Sequence, residues 1–264
     1  MIKQHPDNPP PTLPTTQEFA GKVAVVTGGS DGIGKGIVAA LVEVGAETFF
    51  CGRRVELGEA TQKQLGPKAH FVKTDLRDPD QIKALIDTAG SQTGSIDYLV
   101  NNAGTDPAIA FPDTTIDDFN KVIETDLRAY SLVAQAALPY LEKGQGKAIV
   151  NIGTTNYEKG IPGMTAYSCA KAGIMGFTRA LARELGITSK IRVNLVSPGW
   201  IITERQVAER GLSEHALQSL IHSQCMQQPM YPEHLAPVVV FMLSKAASGV
   251  AGQNLIVDGG QVLG

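Results

Sequence analysis

The chain has 264 residues, 43% of them hydrophobic, enough for one large α/β domain or two small ones. Its 23 Lys and Arg against 26 Asp and Glu leave a net charge of -3, without the basic field that nucleic-acid binding normally requires. No apolar stretch approaches the roughly 20 residues of a membrane-spanning helix, and Met1 to Glu18 is unlike a signal peptide, so a cytoplasmic chain with neither nucleic-acid nor membrane partners is expected.

Residues 1–17 hold five prolines and few large apolar side chains, which predicts an extended arm outside the core. From Lys22 the chain alternates short β-branched runs with longer helical patterns. Strands are expected at Val23 to Thr27, Thr48 to Cys51, His70 to Lys73, Tyr98 to Asn101, Ala148 to Ile152, Arg192 to Val196 and Asn254 to Val257. The helical patterns between them cover Gly32 to Val44, Val55 to Leu65, Pro79 to Ala89, a long helix from about Ile116 to Leu141, Met164 to Leu185, and Glu233 to Leu243. This beat predicts a single doubly wound Rossmann-like α/β domain over residues 18–264, built on a mostly parallel seven-stranded sheet.

Only the polar stretch Ile201 to Tyr231 breaks the beat, with Gln206, His215, Gln218, His222 and Gln224 among its residues. An insertion of that length at the carboxyl edge of a parallel sheet reads as a helical lid, over about residues 200–231, or as a surface hairpin away from any ligand. The cysteines, Cys51, Cys169 and Cys225, are widely spaced and odd in number. They suit neither a disulfide framework nor a metal site, and each is expected to be a small buried apolar residue in a reducing compartment.

Between the first strand and first helix lies Thr27-Gly28-Gly29-Ser30-Asp31-Gly32-Ile33-Gly34. Glycines there permit a tight turn and close approach of backbone to a pyrophosphate, which would meet amide N–H groups and the positive end of the helix. An ordinary glycine-rich loop is the alternative. Arg53 and Arg54 follow the second strand, where a dinucleotide fold places the residue facing the adenosine ribose. Guanidinium groups suit a 2′-phosphate as an acid would suit the bare hydroxyl, so NADP is favoured over NAD. Asp75, two residues past the third strand, either binds the adenine amino group or caps the following helix.

Tyr167 and Lys171 stand at i and i+4 on one helical face. A cation about 4 Å from a phenol favours phenolate by up to about 4 kcal/mol at an effective dielectric of 20, which would lower the phenol pKa and suit it to exchange protons with an alcohol or carbonyl oxygen. Thr154, at the end of the Ala148 to Ile152 strand, puts a second hydroxyl at the same sheet edge.

Together with Asn101-Asn102-Ala103-Gly104, Ser197-Pro198-Gly199 and Val257-Asp258-Gly259-Gly260, these motifs make the chain resemble the short-chain dehydrogenase/reductase family in its classical branch, from about Gly21 to the C-terminus. The resemblance implies a homo-oligomer, dimer or tetramer, that moves hydride between NAD(P) and a small alcohol or carbonyl compound. It implies Tyr167 as general acid/base, with Lys171 lowering its pKa and binding the nicotinamide ribose. Gly28, Ser30, Asp31, Gly32, Ile33 and Gly34 would hold the pyrophosphate. Asp75, Leu76, Asn102, Ala103 and Gly104 would line the adenine and ribose side, and Pro198, Gly199, Ile201 and Thr203 the nicotinamide side. Two positions depart from the family pattern: Thr154 stands where a serine is usual, and Asp126 where an asparagine is usual. An ionised Asp126 near Lys171 would offset part of the field acting on Tyr167. Trp200 to Gln206 looks like the matching stretch of some aldose and polyol dehydrogenases, which suggests a sugar or polyol. A 3-oxoacyl thioester or small ketone is the runner-up, and a non-catalytic dinucleotide-binding redox sensor or assembly protein the reading from another class.

Overall fold

The computed structural model describes residues 17–204, 206–207 and 213–263. The expected arm, apart from Gln17, lies outside them, as do residues 205 and 208–212 of the expected lid. Seven strands form one sheet: β1 (Val23–Val26), β2 (Glu47–Gly52), β3 (Ala69–Lys73), β4 (Tyr98–Asn101), β5 (Ala148–Ile152), β6 (Arg192–Pro198) and β7 (Asn254–Val257). Their order is β3-β2-β1-β4-β5-β6-β7 and all six pairings are parallel. The expected mostly parallel sheet is wholly parallel. Val25 pairs with Phe49 on one side and Leu99 on the other, which fixes the register of the centre.

Helices cover both faces, so every residue of β1, β4 and β5 is buried, and these strands read as apolar runs broken only by Asn101 and Asn151. Alternate side chains feed two cores. Ala24, Val26 and Phe50 meet Ile37 and Leu41 of α1 (Gly32–Glu43) and, from the last helix (Pro232–Leu243), Leu235 and Val239. On the other face Val25, Phe49 and Leu99 meet α3 (Pro79–Ser91), α5 (Ala129–Leu141) and α7 (Thr165–Thr188) through Leu85, Val133 and Leu185. Each Val, Leu, Ile or Phe among them contributes roughly 1.5–3 kcal/mol by leaving water.

Capping sets the helix starts. Asp31 accepts from the Gly32 N–H at 2.8 Å, opening α1. Asp78 accepts from the N–H groups of Asp80 and Gln81 ahead of α3. Of the two roles offered for Asp75, helix capping is therefore excluded: Asp78 takes it, and the Asp75 carboxylate is held by Arg77. α2 spans Val55–Leu65, α6 Asn156–Lys159, α8 Glu214–His222, and the last helix is α9.

Two expectations are corrected here. The long helix does not run as one α-helix from Ile116 to Leu141: α4 (Ile116–Ile123) passes into a π-turn, Glu124–Arg128, before α5. The wider turn rotates the side chains of α5 relative to those of α4, and Asp126 within it is fully buried, its carboxylate meeting the Thr105 N–H at 2.8 Å. A period of 3.6 in the sequence does not register such a turn. Of the cysteines only Cys51 is buried. Cys169 falls off the buried stripe of α7, which runs through Ala170, Lys171, Ile174 and Thr178, and Cys225 lies exposed in the turn after α8.

Candidate active site

The chain leaves β1 toward β2 on one side and, after β3, crosses to β4 on the other, so a crevice opens beyond the carboxyl ends of β1 and β4. A cleft of about 730 Å³ occupies it. Thr27 Oγ1 pins the two strand ends by accepting from the N–H groups of Asn102 at 2.9 Å and Ala103 at 3.1 Å. Asn102 returns the contact, its Nδ2 donating to the Thr27 carbonyl at 2.9 Å.

At the first end of the cleft the wall is mostly backbone. Gly28 has φ +68°, and a Cβ on it would lie 2.8 Å from Ala103 Cα. A Cβ on Gly34 would lie 2.1 Å from the Gly28 carbonyl oxygen. The turn closes only because both are glycine. Ser30 Oγ is buried there with no hydrogen-bond partner among the described residues. This cradle, open to the cleft at the N-terminus of α1, fits a pyrophosphate. Arg53 and Arg54 line the cleft beside it; Arg54 donates to the Asp31 carboxylate at 2.9 Å. Asp75, Leu76 and Gly104 continue the wall. The Arg77 guanidinium holds the Asp75 carboxyl at about 2.

At the second end side chains take over. Thr154, Tyr167 and Lys171 line the cleft from β5 and α7, and Pro198, Gly199, Ile201 and Thr203 from the end of β6 onward. Lys171 Nζ donates to the Tyr130 hydroxyl at 3.0 Å and the Ile152 carbonyl at 3.1 Å, and lies 5.8 Å from the centre of the Tyr167 ring. Every residue expected in the site lines this one cleft except Asp126, which lies behind it, 3.7 Å from Lys171 Nζ. From there its carboxylate touches two residues of the wall, Lys171 and the Thr105 N–H.

The electrostatic expectation is also corrected. Tyr167 is raised above the ordinary phenol value, because burial penalises phenolate more than the Lys171 charge and a Thr154 hydrogen bond favour it; Asp126 and Asp106 push it further up. The lowering expected from Lys171 is present but outweighed. Burial in turn lifts Asp126 to about 6, against the pull of Lys171 and the Thr105 N–H.

Sequence reasoning missed three features. Tyr130 carries no motif and is found only because its hydroxyl meets Lys171. Asn156 and Lys159 of α6 and Gln261 near the C-terminus line the same end, with Lys159 donating to Gln261. The Asp258 carboxylate holds Gln261 there by accepting from the N–H groups of Gly260, Gln261 and Val262. Of the expected lid, α8 contributes Leu220, while Gln206 accepts from Trp200 Nε1 at 2.8 Å.

Residues 28–261 match the family model described as Enoyl-(Acyl carrier protein) reductase. The chain is similar to a protein of Rhizobium meliloti named "Probable galactose dehydrogenase", 34% identical over 94% of this chain and 99% of that one. It is also similar to a 3-oxoacyl-[acyl-carrier-protein] reductase of Chlamydia muridarum, 35% identical over 92% and 98%. A solved structure titled as a short chain dehydrogenase/reductase family protein superposes with a TM-score of 0.82 and 34% identity, covering 92% of this chain and 98% of that one.

Proposed function

The chain belongs to the short-chain dehydrogenase/reductase family, oxidoreductases that work on alcohol or carbonyl groups with NAD(P), and from that premise we propose an aldose or polyol dehydrogenase that prefers NADP. One observation carries the reading. Two hydroxyls, of Thr154 and Tyr167, and the Lys171 ammonium meet at one end of a cleft whose other end is a glycine cradle fit for a dinucleotide pyrophosphate.

When bound, NAD(P) supplies or accepts the hydride. The glycine turn, Asn102 to Gly104, Pro198, Gly199 and Thr203 would hold it, with Arg53 and Arg54 beside the ribose. In the oxidative direction Tyr167 as phenolate takes the hydroxyl proton of the substrate as hydride leaves the carbon that becomes the carbonyl; in the reductive direction the phenol returns it. Thr154 hydrogen-bonds the same oxygen and orients it. Lys171 stabilises the phenolate by its charge. Because burial holds Tyr167 high, oxidation should accelerate as pH rises above neutral.

The polar wall supports a hydroxyl-rich substrate. Asn156, Lys159, Gln206 and Gln261 offer donors and acceptors on several sides, and Trp200 adds an apolar face. The galactose dehydrogenase relative is consistent with this. Assembly as a homo-oligomer is part of the proposal.

The test is turnover on an aldose and polyol panel and a 3-oxoacyl thioester, with NADP and NAD. Expected are aldose oxidation with NADP preferred, its loss by about 100-fold or more in Tyr167→Phe, and loss of the NADP preference when Arg53 and Arg54 are both replaced by Ala. Faster turnover of the thioester would give the site to an acyl reductase. Tight cofactor binding with no turnover on any substrate, unchanged in Tyr167→Phe, would make the protein a sensor.

A further inference from the structure

Lys171 is held more elaborately than a field on Tyr167 requires. A buried ammonium and carboxylate free to meet settle at about 2.7–2.9 Å. Lys171 and Asp126 instead stop 3.7 Å apart, and Asp126 Oδ2 is buried without a hydrogen-bond donor among the described residues. The cause lies on the other side of the ammonium. The Tyr130 hydroxyl accepts from Lys171 Nζ at 3.0 Å and donates to the Ile152 carbonyl at 3.1 Å, the same carbonyl that accepts from Lys171. Tyr130 is fully buried, and the Lys171 cation also lies 5.1 Å from the centre of its ring. Asp126 within the π-turn and Tyr130 one turn on, in α5, thus pull Lys171 from two directions.

We propose that Tyr130 is a positioning residue: its hydroxyl keeps Lys171 from collapsing onto Asp126 and so keeps the positive field on Tyr167. The proposal rests on the reading of Tyr167 as the proton carrier. Around Lys171 the titratable groups are Tyr167 on its own helix, Asp126 and Tyr130 on the helix beside it, and Asp106 in the loop after β4, whose charge acts on both Asp126 and Tyr167. β5 adds the Ile152 carbonyl and the neutral Thr154. Gly104 closes the remaining side without a side chain: a Cβ there would lie 2.7 Å from Asp126 Oδ2 and 3.3 Å from Lys171 Nζ. If Tyr130 lets go, the Ile152 carbonyl is the only hydrogen-bond partner among the described residues that still holds the ammonium away from the carboxylate, and the ion pair closes.

Tyr130→Phe removes that one oxygen. The expected result is a fall in kcat at pH 7 of about tenfold, with KM for alcohol and NADP within about twofold, and the Tyr167 limb of the pH profile moved up by about one unit. In an Asp126→Asn background the carboxylate that would capture Lys171 is neutral, and Tyr130→Phe should move the limb by less than half as much. A phenolate absorbance titration of the whole protein, with Tyr167→Phe as baseline, reads the same shift without turnover. A wild type that turns over nothing would therefore sink the functional reading while this shift still decides the role of Tyr130. The proposal is overturned by a fall in kcat equal at every pH, by an unmoved phenolate titration, or by an undiminished shift in the Asp126→Asn background.

Discussion

Each end of the cleft carries an ion pair, and the two pairs differ in both length and exposure. Arg54 and Asp31 meet at 2.9 Å beside the glycine turn, with side chains 58% and 24% exposed. Lys171 and Asp126 stand 3.7 Å apart at the reacting end, 4% and 0% exposed. Water screens the shorter pair and leaves the longer one unscreened. Proximity is therefore a poor guide to which pair governs the protein: an exposed pair contributes roughly 0–1 kcal/mol, whereas removing one partner of a buried pair leaves a stranded charge that costs about 3–5 kcal/mol.

The strongest way to break the comparison is to strand that charge. Lys171→Met should destabilise the fold by about 3–5 kcal/mol in urea unfolding and remove activity, while Arg54→Met should cost no more than about 1 kcal/mol. Equal costs would show that burial does not separate the pairs. Next comes pH. Asp126 sits at about 6 in the fold against 3.8 for the free carboxyl. A raised acid pKa means the folded state binds the extra proton, so the stability it contributes is complete below about 4 and is lost as pH rises through about 6. At about 1.4 kcal/mol per unit the loss is of order 3 kcal/mol. Asp126→Asn cannot lose it. The stability of Asp126→Asn relative to wild type should therefore grow between pH 4 and 6 and level off above; a flat difference in paired unfolding curves would refute the assignment.

At the open end backbone contacts take the part that charge plays at the other. Gly34→Ala puts a methyl 2.1 Å from the Gly28 carbonyl, so the turn must splay. NADP affinity should fall more than about tenfold, roughly 1.4 kcal/mol, with the pH profile of turnover unmoved. Calorimetry and a pH-rate series separate the two. The smallest effect is expected for Arg54→Ala, whose stability change should vanish as salt rises, because the pair it breaks is already screened.

The same contrast explains which residues could be recognised from the sequence. The glycine turn was legible residue by residue, since strain and close approach at Gly28 and Gly34 are local requirements that leave a fixed spacing. Tyr167 and Lys171 were legible as well, being one helical turn apart. Tyr130 was not: it lies 41 positions from Lys171, in a stretch whose apolar pattern suits an ordinary core tyrosine. The exposed Cys169 and Cys225 were misplaced for a related reason, because a residue type gives the usual burial and only the helix face or turn gives the actual one.

What the chain order settled by itself was the parallel sheet, its helical layers and the place of the crevice, since apolar runs, caps and glycines act over a few neighbouring residues. The charge environment of Tyr167 belonged to the tertiary structure. A field depends on distance and on how much water is excluded, and both were decided when β5, α7, the π-turn and the loop after β4 closed around one ammonium.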